Sequence, residues 1–559
     1  MGFSSFYSSF LLVIFLPITL IANENISWAE RTLASMSTDE KIGQLFMIAG
    51  YVDSEFAAKE IGNPHIIEEI EDYITRYHVG GIAFVGPSLS QSQVSFANRY
   101  QKISKYPILI AQDLEWGLSM RLKDGMGFPK NITLGAIKNN DLIYQMGLEI
   151  GRQAKLIGVH MNLSPVLDVN TEPENPVINV RSFGSTPQEV ARKGRSMIRG
   201  LQDAGIIASA KHFPGLGDII VDPHLGLPYC KHEKKRLEEI ELFPFIEAIK
   251  EGVLSIQTEH LIIPAFEDLK IPASLSQKVV QGLLKEKLGF RGLVLSGALR
   301  MKALTDFMSE EEIVLRAFLA GSDMLLMPQD FPKAYNALKL ALKEGKINEK
   351  DIDERVLTIL KLKEKVNLDL DRFAAIPNKN DLHTASSQDL RIKLFQEAVS
   401  ILRNERKLIP LSQENAAYVQ LGEASTLDLL NQLKLTLNTD SYFCSLDKKN
   451  IIEEERLFKN MEKYGVVILA IFPADPRRIA EIRLMNENKQ KEELRHFRVH
   501  GITDSLASLI RELKPYEQKI IVAYFGNPFG LYFFDDYSTL IMGYEEDSEA
   551  QIASWNLMR

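Results

Sequence analysis

The sequence predicts an α/β fold with the pattern of a (β/α)8 TIM-type barrel followed by a smaller α/β sandwich domain. From about residue 30 to 370, eight short apolar runs alternate with amphipathic stretches, and this number fits a barrel. A polar segment at 371–390 lacks the apolar period, and a second, shorter alternation follows it. Periodicity by itself does not distinguish a closed barrel from an open, doubly wound sheet, so the pattern leaves both open.

Each predicted strand of the first domain is a short apolar run bounded by turn-forming residues. The eight runs are Leu45–Ala49, Gly81–Val85, Ile108–Gln112, Ile157–Leu163, Ile207–Lys211, Val253–Gln257, Leu293–Ser296 and Asp323–Leu326. Helical patterns separate them, and the clearest are Val190–Ala204 and Lys235–Gly252. This order predicts a parallel sheet with its helices outside.

Four segments follow from these patterns. We predict a signal peptide or N-terminal anchor at 1–22, a barrel domain at 30–370, a linker at 371–390 and a C-terminal α/β domain at 391–559. The strands predicted for the last segment are Ala417–Leu421, Val466–Ile471, Ile520–Phe525 and Thr539–Met542. The helices predicted for it include Leu427–Leu435 and Ile502–Leu513. Four or five strands in this length predict a small open sheet with helices on both faces.

Composition and charge exclude several classes of protein. The chain has 559 residues, of which 45% are apolar and 25% charged, as in ordinary globular proteins. Its net charge is −9 and no basic stripe occurs, so nucleic acid is not an expected partner. The two cysteines, Cys230 and Cys444, are too few and too far apart for a disulfide framework or a cysteine-rich metal site.

The first residues indicate export. Met1 to Asn23 contains no charged side chain, and Phe10–Ala22 is a dense apolar run interrupted by Pro17. This run is short for a spanning helix and suits the apolar region of a signal peptide. We expect export to a bacterial periplasm or cell envelope, with an uncleaved anchor or a buried helix as alternatives. Contact with a membrane is expected only through this segment.

Polar residues cluster where the predicted strands end, which is where barrel enzymes hold their working residues. Asp113 to Arg121 follow the third strand, Asp168 and Asn175 to Gly184 follow the fourth, and Lys211 to His224 follow the fifth. Glu259 and His260 follow the sixth. One cavity would collect all of them, and its mixture of charges suits a hydroxyl-rich ligand such as a sugar.

Metal and phosphate chemistry are weaker alternatives. His212, His224 and His260 could form a three-histidine zinc site, but their spacing matches no compact ligand motif. The turn Gly215-Leu216-Gly217 has no Lys-Ser/Thr sequel of the kind that a phosphate-binding loop requires. We therefore predict no metal.

A long motif resembles a known family. The run KHFPGLGDIIVDPHLGLP, from Lys211 to Pro228, looks like the signature of glycoside hydrolase family 3, in its branch of β-N-acetylglucosaminidases. The segments DLEWGLSMRL, SPVLDVN, RSFG and FGNP extend the resemblance from about residue 30 to 550. The resemblance implies a (β/α)8 barrel followed by an α/β sandwich, a carbohydrate ligand containing N-acetylglucosamine, and no cofactor.

The resemblance also implies roles for individual positions. Five residues match positions that hydrogen-bond the sugar in the −1 subsite: Asp113, Arg121, Arg181, Lys211 and His212. Asp168 matches an acidic position near the site. His224, paired with Asp222, matches the general acid/base residue, which lies on a mobile loop. An imidazole suits this role because it titrates near neutral pH and because a neighbouring carboxylate stabilises its charged form.

One departure from the family pattern concerns the nucleophile. The segment GFRGLVLSGALRM aligns without a gap and places Gly297 where the family has the nucleophilic aspartate. A retaining glycosidase needs a carboxylate there, and glycine should leave a void about the size of a carboxymethyl group. Four neighbouring positions also differ from the family pattern: Leu216 for His, Ile219 for Thr, Pro223 for Ser and Arg300 for Asn.

Glu259 could replace the missing carboxylate, because it lies one strand away from Gly297 in the barrel order. Strand alternation could instead point its side chain outward. Three functions remain open: a hydrolase of terminal β-linked N-acetylglucosamine in peptidoglycan turnover, a pseudoenzyme that binds carbohydrate without turnover, and a structural envelope protein with an inherited fold. The sequence predicts slow hydrolysis in the first case.

Overall fold

The structure is a computed structural model, and it describes residues 26–61, 65–267, 269–445, 451–473 and 499–559. The predicted signal peptide or anchor at 1–22 lies outside the described residues. In the described ranges, no helix is both long and apolar enough to cross a membrane.

Eight strands form the first sheet, and every pairing between them is parallel. They are β1 Phe46–Gly50, β2 Gly81–Phe84, β3 Leu109–Gln112, β4 Met161–Asn162, β5 Ile207–Phe213, β6 Ser255–Thr258, β7 Leu293–Leu295 and β8 Leu325–Leu326. Their order is β7-β6-β5-β4-β3-β2-β1-β8, and a bridge between Leu295 and Met324 joins its two ends. The predicted barrel is confirmed.

Helices cover the outside of the barrel. Their bounds are α1 Trp28–Ser35, α2 Thr38–Gln44, α3 Ser54–Ile61, α4 Ile66–Tyr77, α5 Ser90–Ile103, α6 Asn131–Gly135, α7 Asn140–Leu156, α8 Pro187–Asp203, α9 Lys234–Glu239, α10 Phe243–Glu251, α11 Lys302–Thr305, α12 Glu310–Ala320, α13 Phe331–Lys343 and α14 Glu349–Lys365. A π-type helix spans Lys278–Lys287. The strands read as continuous apolar runs because they are buried on both faces; every residue of β5 is buried.

Two predicted elements differ from the structure. The predicted strand Ile157–Leu163 shrinks to β4, because α7 continues to Leu156 and a turn follows in which Gly158 has φ +73°. The predicted helix Lys235–Gly252 is two helices, α9 and α10. Pro244 lies in the first turn of α10, where its missing N–H costs least, so the chain starts a new helix there.

The predicted linker at 371–390 is only partly irregular. Helix α15 occupies Lys379–Leu382, and α16 begins at Ala385 and ends at Ala398. The Thr384 side chain accepts a hydrogen bond from the backbone of Ser387, which caps α16. The polar residues that cap these helices interrupt the apolar periodicity of the sequence. This interruption is the reason that the segment was predicted to be a linker.

In the described part of the C-terminal domain, the sheet has six strands rather than the four or five predicted. They are β9 Ser400–Asn404, β10 Asn415–Gly422, β11 Asn438–Cys444, β12 Val466–Phe472, β13 Ile520–Tyr524 and β14 Thr539–Met542, in the order β11-β10-β12-β13-β14-β9. Its helices are α17 Asp428–Thr436, α18 Ile451–Asn460, α19 Asp504–Leu513 and α20 Ser548–Met558. The two strands absent from the prediction, β9 and β11, are the edge strands. They are partly exposed and lack a continuous apolar run.

The second domain contacts the barrel beside the ends of the strands. The Glu545 carboxylate accepts a hydrogen bond from the backbone N–H of Lys130 at 2.9 Å, and it is also hydrogen-bonded to the Thr133 hydroxyl. Asn527, in the FGNP segment, donates its side-chain amide to Asn179. Asn179 lies two residues before Arg181, so the second domain reaches the edge of the candidate site.

Candidate functional site

Charged side chains from the ends of β3, β4 and β5 form one side of the barrel mouth, which we call the binding wall. Its members are Asp113, Glu115, Arg121, Asp168, Arg181, Lys211 and His212. All five residues predicted to bind sugar therefore come together. The reason is topological, because parallel strands of a barrel bring their carboxyl ends to one face.

Asp113 is held between two cations. Its Oδ1 accepts from the Lys211 Nζ at 2.6 Å, and its Oδ2 accepts from the Arg121 guanidinium at 2.6 Å. Burial would raise the pKa of Asp113, but the charges of Lys211 and Arg121 outweigh it and hold the pKa well below its usual range. The carboxylate is therefore ionised at neutral pH and remains fixed in position.

Glu115 is a member of the wall to which the sequence assigned no role. Its side chain is fully buried and lies 2.6 Å from the Arg181 guanidinium and 2.9 Å from the Lys211 Nζ. Burial raises its pKa, but the two cations dominate and lower the pKa to about 2. A glutamate two residues after Asp113 could have been noticed, but only the fold shows that both carboxylates meet one lysine.

Asp168 orients His212 and the loop that follows it. Its Oδ2 accepts from the His212 Nδ1 at 2.7 Å, and its Oδ1 accepts from the backbone N–H of Leu216 at 2.6 Å. With Nδ1 protonated in this way, the His212 Nε2 accepts from Arg181 at 3.4 Å. Asp168 thus fixes the tautomer and the direction of the imidazole, because the hydrogen bond at one ring nitrogen determines the state of the other nitrogen.

The predicted acid/base pair is also in contact, on the segment from Asp222 to His224 that we call the acid/base loop. The His224 Nδ1 donates to the Asp222 Oδ1 at 2.8 Å, and this leaves Nε2 for exchange of a proton. The hydrogen bond that His224 donates to Asp222 raises the pKa of His224 above its ordinary value, and the charge of Glu259 adds to the effect. The His224 side chain is 64% exposed, so a ligand could reach it directly.

The opposite side of the mouth, at the ends of β6 and β7, consists of Glu259, His260 and Gly297, and we call it the reaction wall. A Cβ atom at Gly297 would lie 2.8 Å from the Cε1 and Nε2 atoms of His260 and 3.0 Å from the carbonyl oxygen of Thr258. The predicted void beside Gly297 is therefore wrong. The imidazole of His260 fills the space where a nucleophile side chain would begin.

His260 is fixed in this place. Its Nε2 donates to the carbonyl oxygen of Ala298 at 3.0 Å, so its Nδ1 accepts from the hydroxyl of Ser274 at 2.6 Å. Burial lowers the pKa of His260, which keeps the ring neutral. A neutral, doubly hydrogen-bonded ring blocks this position without offering a nucleophile.

The Glu259 side chain is buried, with only 3% of it exposed. Its Oε1 accepts from the backbone N–H of His260 at 2.8 Å. Its charge contributes to the raised pKa of His224. A role for Glu259 as a substitute carboxylate stays a prediction.

The other positions that depart from the family pattern have structural explanations. Leu216 and Ile219 are buried in the apolar core. The carbonyl of Pro223 accepts from the backbone of Ala303 at 3.2 Å, and the Arg300 guanidinium donates to the Tyr51 hydroxyl at 2.7 Å. These residues stabilise the loops and do not enlarge the binding wall.

Within the described residues, no group of three His, Cys, Asp or Glu side chains is arranged to hold a metal ion. His212, His224 and His260 each have their own partners, namely Asp168, Asp222 and the pair Ser274 and Ala298. The arrangement instead combines hydrogen-bonding charges with an acid/base pair. Together with the barrel, it defines the class of (β/α)8 enzymes, which hold their working residues at the carboxyl ends of the strands.

The comparisons with known proteins agree. The model described as the glycosyl hydrolase family 3 N terminal domain matches residues 37–362. The chain belongs to this family of glycoside hydrolases.

Similar proteins are known in several bacteria. A β-hexosaminidase A of Pseudoalteromonas piscicida is 28% identical over 490 residues, which cover 82% of this chain and 79% of that protein. A β-N-acetylglucosaminidase/β-glucosidase of Cellulomonas fimi is 27% identical over 70% of this chain and 69% of its own length. The structure of a family 3 β-N-acetylglucosaminidase from Paenibacillus sp. str. FPU-7 matches with a TM-score of 0.75 and 28% identity, over 94% of this chain and 97% of that one.

Proposed function

We propose that the barrel mouth takes the terminal β-linked N-acetylglucosamine of a cell-wall saccharide, and that the protein hydrolyses this bond far more slowly than relatives with a nucleophilic aspartate. The names of the relatives support this sugar. The observation that carries the proposal is the binding wall, where charged groups are already fixed around the barrel mouth.

The binding wall is suited to sugar hydroxyls. Asp113 offers carboxylate oxygens as acceptors, while Lys211 and Arg121 offer N–H donors, and their mutual bonds hold each in place. Groups that are ordered before binding lose little conformational freedom when the ligand arrives. Ligands that lack a matching hydroxyl leave such buried groups unpaired, which gives selectivity.

Calorimetry tests this recognition. We expect N-acetylglucosamine to bind with millimolar or better affinity, and we expect Asp113→Asn to weaken binding at least tenfold. Asp39→Asn is the matched control, because Asp39 pairs with Lys339 on the exposed surface at 2.7 Å and should leave binding unchanged. Absence of binding to the unmodified protein would exclude the proposal.

Slow hydrolysis follows from the reaction wall. Loss of a covalent nucleophile removes the double displacement by which retaining glycosidases work, and such losses cost several orders of magnitude in rate. We expect turnover of aryl β-N-acetylglucosaminides at least about 1,000-fold below that of a relative with the aspartate. A rate within tenfold of that relative would contradict this expectation.

A second function is favoured by one observation, the imidazole of His260 in the place of the nucleophile. In this case the protein is a pseudoenzyme that binds carbohydrate, or regulates through it, without turnover. The two functions share the binding wall and differ in catalysis. Binding of N-acetylglucosamine without release of an aryl leaving group above the buffer rate would establish the second one.

We also propose export to the bacterial cell envelope, where cell-wall saccharides are found. The apolar run Phe10–Ala22 supports this location. Fractionation of cells that express the full chain should recover the protein outside the cytoplasm, and deletion of residues 1–22 should retain it inside. Equal distribution of the two forms would contradict export.

A further inference from the structure

Two side chains of the second domain reach the part of the barrel mouth that carries Arg181. Asn527 follows β13 and Glu545 follows β14, and these two strands are parallel neighbours in the C-terminal sheet. Both side chains are buried, and both form hydrogen bonds to loops of the barrel. Through these loops they act on the backbone that carries Arg181.

The guanidinium of Arg181 has a fixed place in the binding wall. It donates to the Glu115 carboxylate at 2.6 Å, and it lies 3.4 Å from the His212 Nε2. A guanidinium presents its donors in a rigid fork, so its hydrogen bonds depend on direction as well as on distance. The backbone at Arg181 must therefore be held in one conformation if the guanidinium is to meet a sugar hydroxyl.

Arg181 ends a short 3-10 turn, Asn179–Arg181, whose first residue has an unusual conformation. Asn179 has φ +39°, in the left-handed region that residues other than glycine seldom occupy. Such a conformation persists where the surrounding structure holds it. The backbone N–H of Arg181 donates to the carbonyl oxygen of Ile178 at 2.7 Å and closes the turn. The conformation of Asn179 therefore sets the course of the chain into Arg181.

Asn527 holds the Asn179 side chain from the second domain. The Asn527 Oδ1 accepts from the backbone N–H of Phe529 at 3.0 Å, and this leaves its amide nitrogen as the donor toward the barrel. The Asn527 Nδ2 donates to the Asn179 Oδ1. One hydrogen bond thus connects the FGNP segment to the strained turn before Arg181.

A second route from the second domain reaches the carbonyl oxygen of Arg181. Glu545 accepts hydrogen bonds from the Lys130 backbone N–H and from the Thr133 hydroxyl, at the start of α6. Between these two residues, Asn131 donates its side-chain amide to the carbonyl oxygen of Arg181 at 2.7 Å. Glu545 therefore holds α6 in place, and α6 holds the backbone of Arg181.

We propose that Asn527 and Glu545 are positioning residues for sugar recognition, so that the second domain sets the affinity of the binding wall. Asn527 acts on the turn before Arg181, and Glu545 acts on the Arg181 carbonyl through α6. The inference rests on the proposed function, because it requires N-acetylglucosamine to bind at the binding wall. It gives the second domain a role in binding that requires no contact between that domain and the sugar.

Calorimetry of N-acetylglucosamine binding to the full-length protein tests the contact of Asn527. Asn527→Ala should weaken binding about fivefold, the effect expected for the loss of one neutral hydrogen bond. Asn438→Ala is the matched control, because Asn438 donates its side-chain amide to Asn415 at 3.0 Å on the exposed surface of the same domain. This control should leave the affinity unchanged. An unchanged affinity in Asn527→Ala would overturn the role of Asn527.

A double-mutant cycle distinguishes positioning from a general loss of packing. Asn179→Gly removes the accepting side chain from the barrel, and glycine adopts the left-handed conformation without strain. If Asn527 acts through Asn179, the double variant should bind the sugar no more weakly than the weaker single variant. Losses that multiply would overturn the proposal. Should Asn527→Ala fail to fold, Asn179→Gly alone should still weaken binding about fivefold, and an unchanged affinity would overturn the role of this contact.

A conservative pair of variants tests Glu545. Glu545→Ala removes the acceptor for Lys130 and Thr133 and should weaken binding about threefold. Glu545→Gln should restore the affinity, because its amide oxygen can accept both hydrogen bonds. Equal losses in the two variants would overturn the role assigned to Glu545.

The unmodified protein separates this inference from the proposed function. If it binds N-acetylglucosamine and the Asn527 and Glu545 variants bind the sugar equally well, the positioning role is overturned while recognition by the binding wall stands. If the unmodified protein does not bind the sugar, the proposed function fails and this inference fails with it.

Discussion

The two walls of the barrel mouth differ in how their charges are compensated. On the binding wall, Asp113, Glu115 and Lys211 belong to one network in which each buried charge has a partner of opposite sign. On the reaction wall, Glu259 pairs with no lysine or arginine of the described residues, and the neutral ring of His260 covers Gly297. In the proposed function, recognition of the ligand belongs to the binding wall and cleavage of the bond belongs to the reaction wall.

The difference also separates the two walls energetically. The paired carboxylates of the binding wall stabilise the folded loops, since each compensates a buried cation. The reaction wall is held by hydrogen bonds of His260 to Ser274 and Ala298. Substitutions on the first wall should therefore affect both binding and stability, whereas those on the second should affect rate or local packing.

The largest effect is expected at Lys211, the cation shared by two carboxylates. Lys211→Met leaves Asp113 and Glu115 with one cation each, and breaking a buried ion pair in this way costs about 3–5 kcal/mol of unfolding free energy. Binding of N-acetylglucosamine should be lost. Urea unfolding and calorimetry measure both quantities.

Lys350→Met is the control for that variant. Its ion pair with Glu354, at 3.7 Å, is exposed, so removal should change the unfolding free energy by less than about 1 kcal/mol. Retention of sugar affinity in Lys211→Met would show that the binding wall is not the subsite.

The acid/base loop gives a pH-dependent effect. Asp222 raises the pKa of His224, so the imidazole keeps its proton to a higher pH than a free histidine does. Asp222→Asn should move the alkaline limb of the kcat/KM profile to lower pH. It should also reduce hydrolysis of substrates with poor leaving groups by about 100-fold at neutral pH.

The leaving group supplies the control for the Asp222 experiment. An activated aryl substrate needs less protonation, so its rate should fall less than that of a disaccharide. An unchanged alkaline limb in Asp222→Asn would show that His224 is not the group that titrates.

Introducing an aspartate at Gly297 tests whether this position alone accounts for the slow hydrolysis that we propose. Gly297→Asp forces the new Cβ against His260, so we expect a loss of about 1–3 kcal/mol in unfolding free energy and no gain in rate. Combining it with His260→Ala makes room. The double variant should hydrolyse aryl substrates about tenfold faster than His260→Ala alone, the gain of a modest contribution from a new nucleophile.

The product of the double variant adds a second readout. Two displacements through the introduced aspartate should release the β-anomer first. A rate increase from Gly297→Asp while His260 is still present would show that the imidazole moves aside at little cost and does not block the position.

The smallest effect is expected at Arg300, which lies beside the reaction wall but contributes to neither wall. Arg300→Asn removes the hydrogen bond to the Tyr51 hydroxyl and should cost about 1 kcal/mol of unfolding free energy. Sugar affinity should stay within twofold. A larger change in affinity would place Arg300 inside the subsite.

Much of the fold was predictable because buried parallel strands are continuous apolar runs. All eight barrel runs overlap observed strands, and the run predicted for β14 has its observed bounds. The errors have local causes. Gly158 and Pro244 change the backbone where the apolar pattern continues, and the edge strand β11 alternates in burial instead of forming a buried run.

The sequence by itself determined the family, the barrel, and which side chains gather at the barrel mouth, because a long motif and strand-end positions are properties of the chain order. Only the tertiary structure decided how those side chains pair. It placed Glu115 against Lys211, and it filled the space beside Gly297 with His260. It also left Glu259 buried without a lysine or arginine partner among the described residues. The physical reason is that pairing and free volume depend on distances between residues on different strands, and these distances are set when the barrel closes.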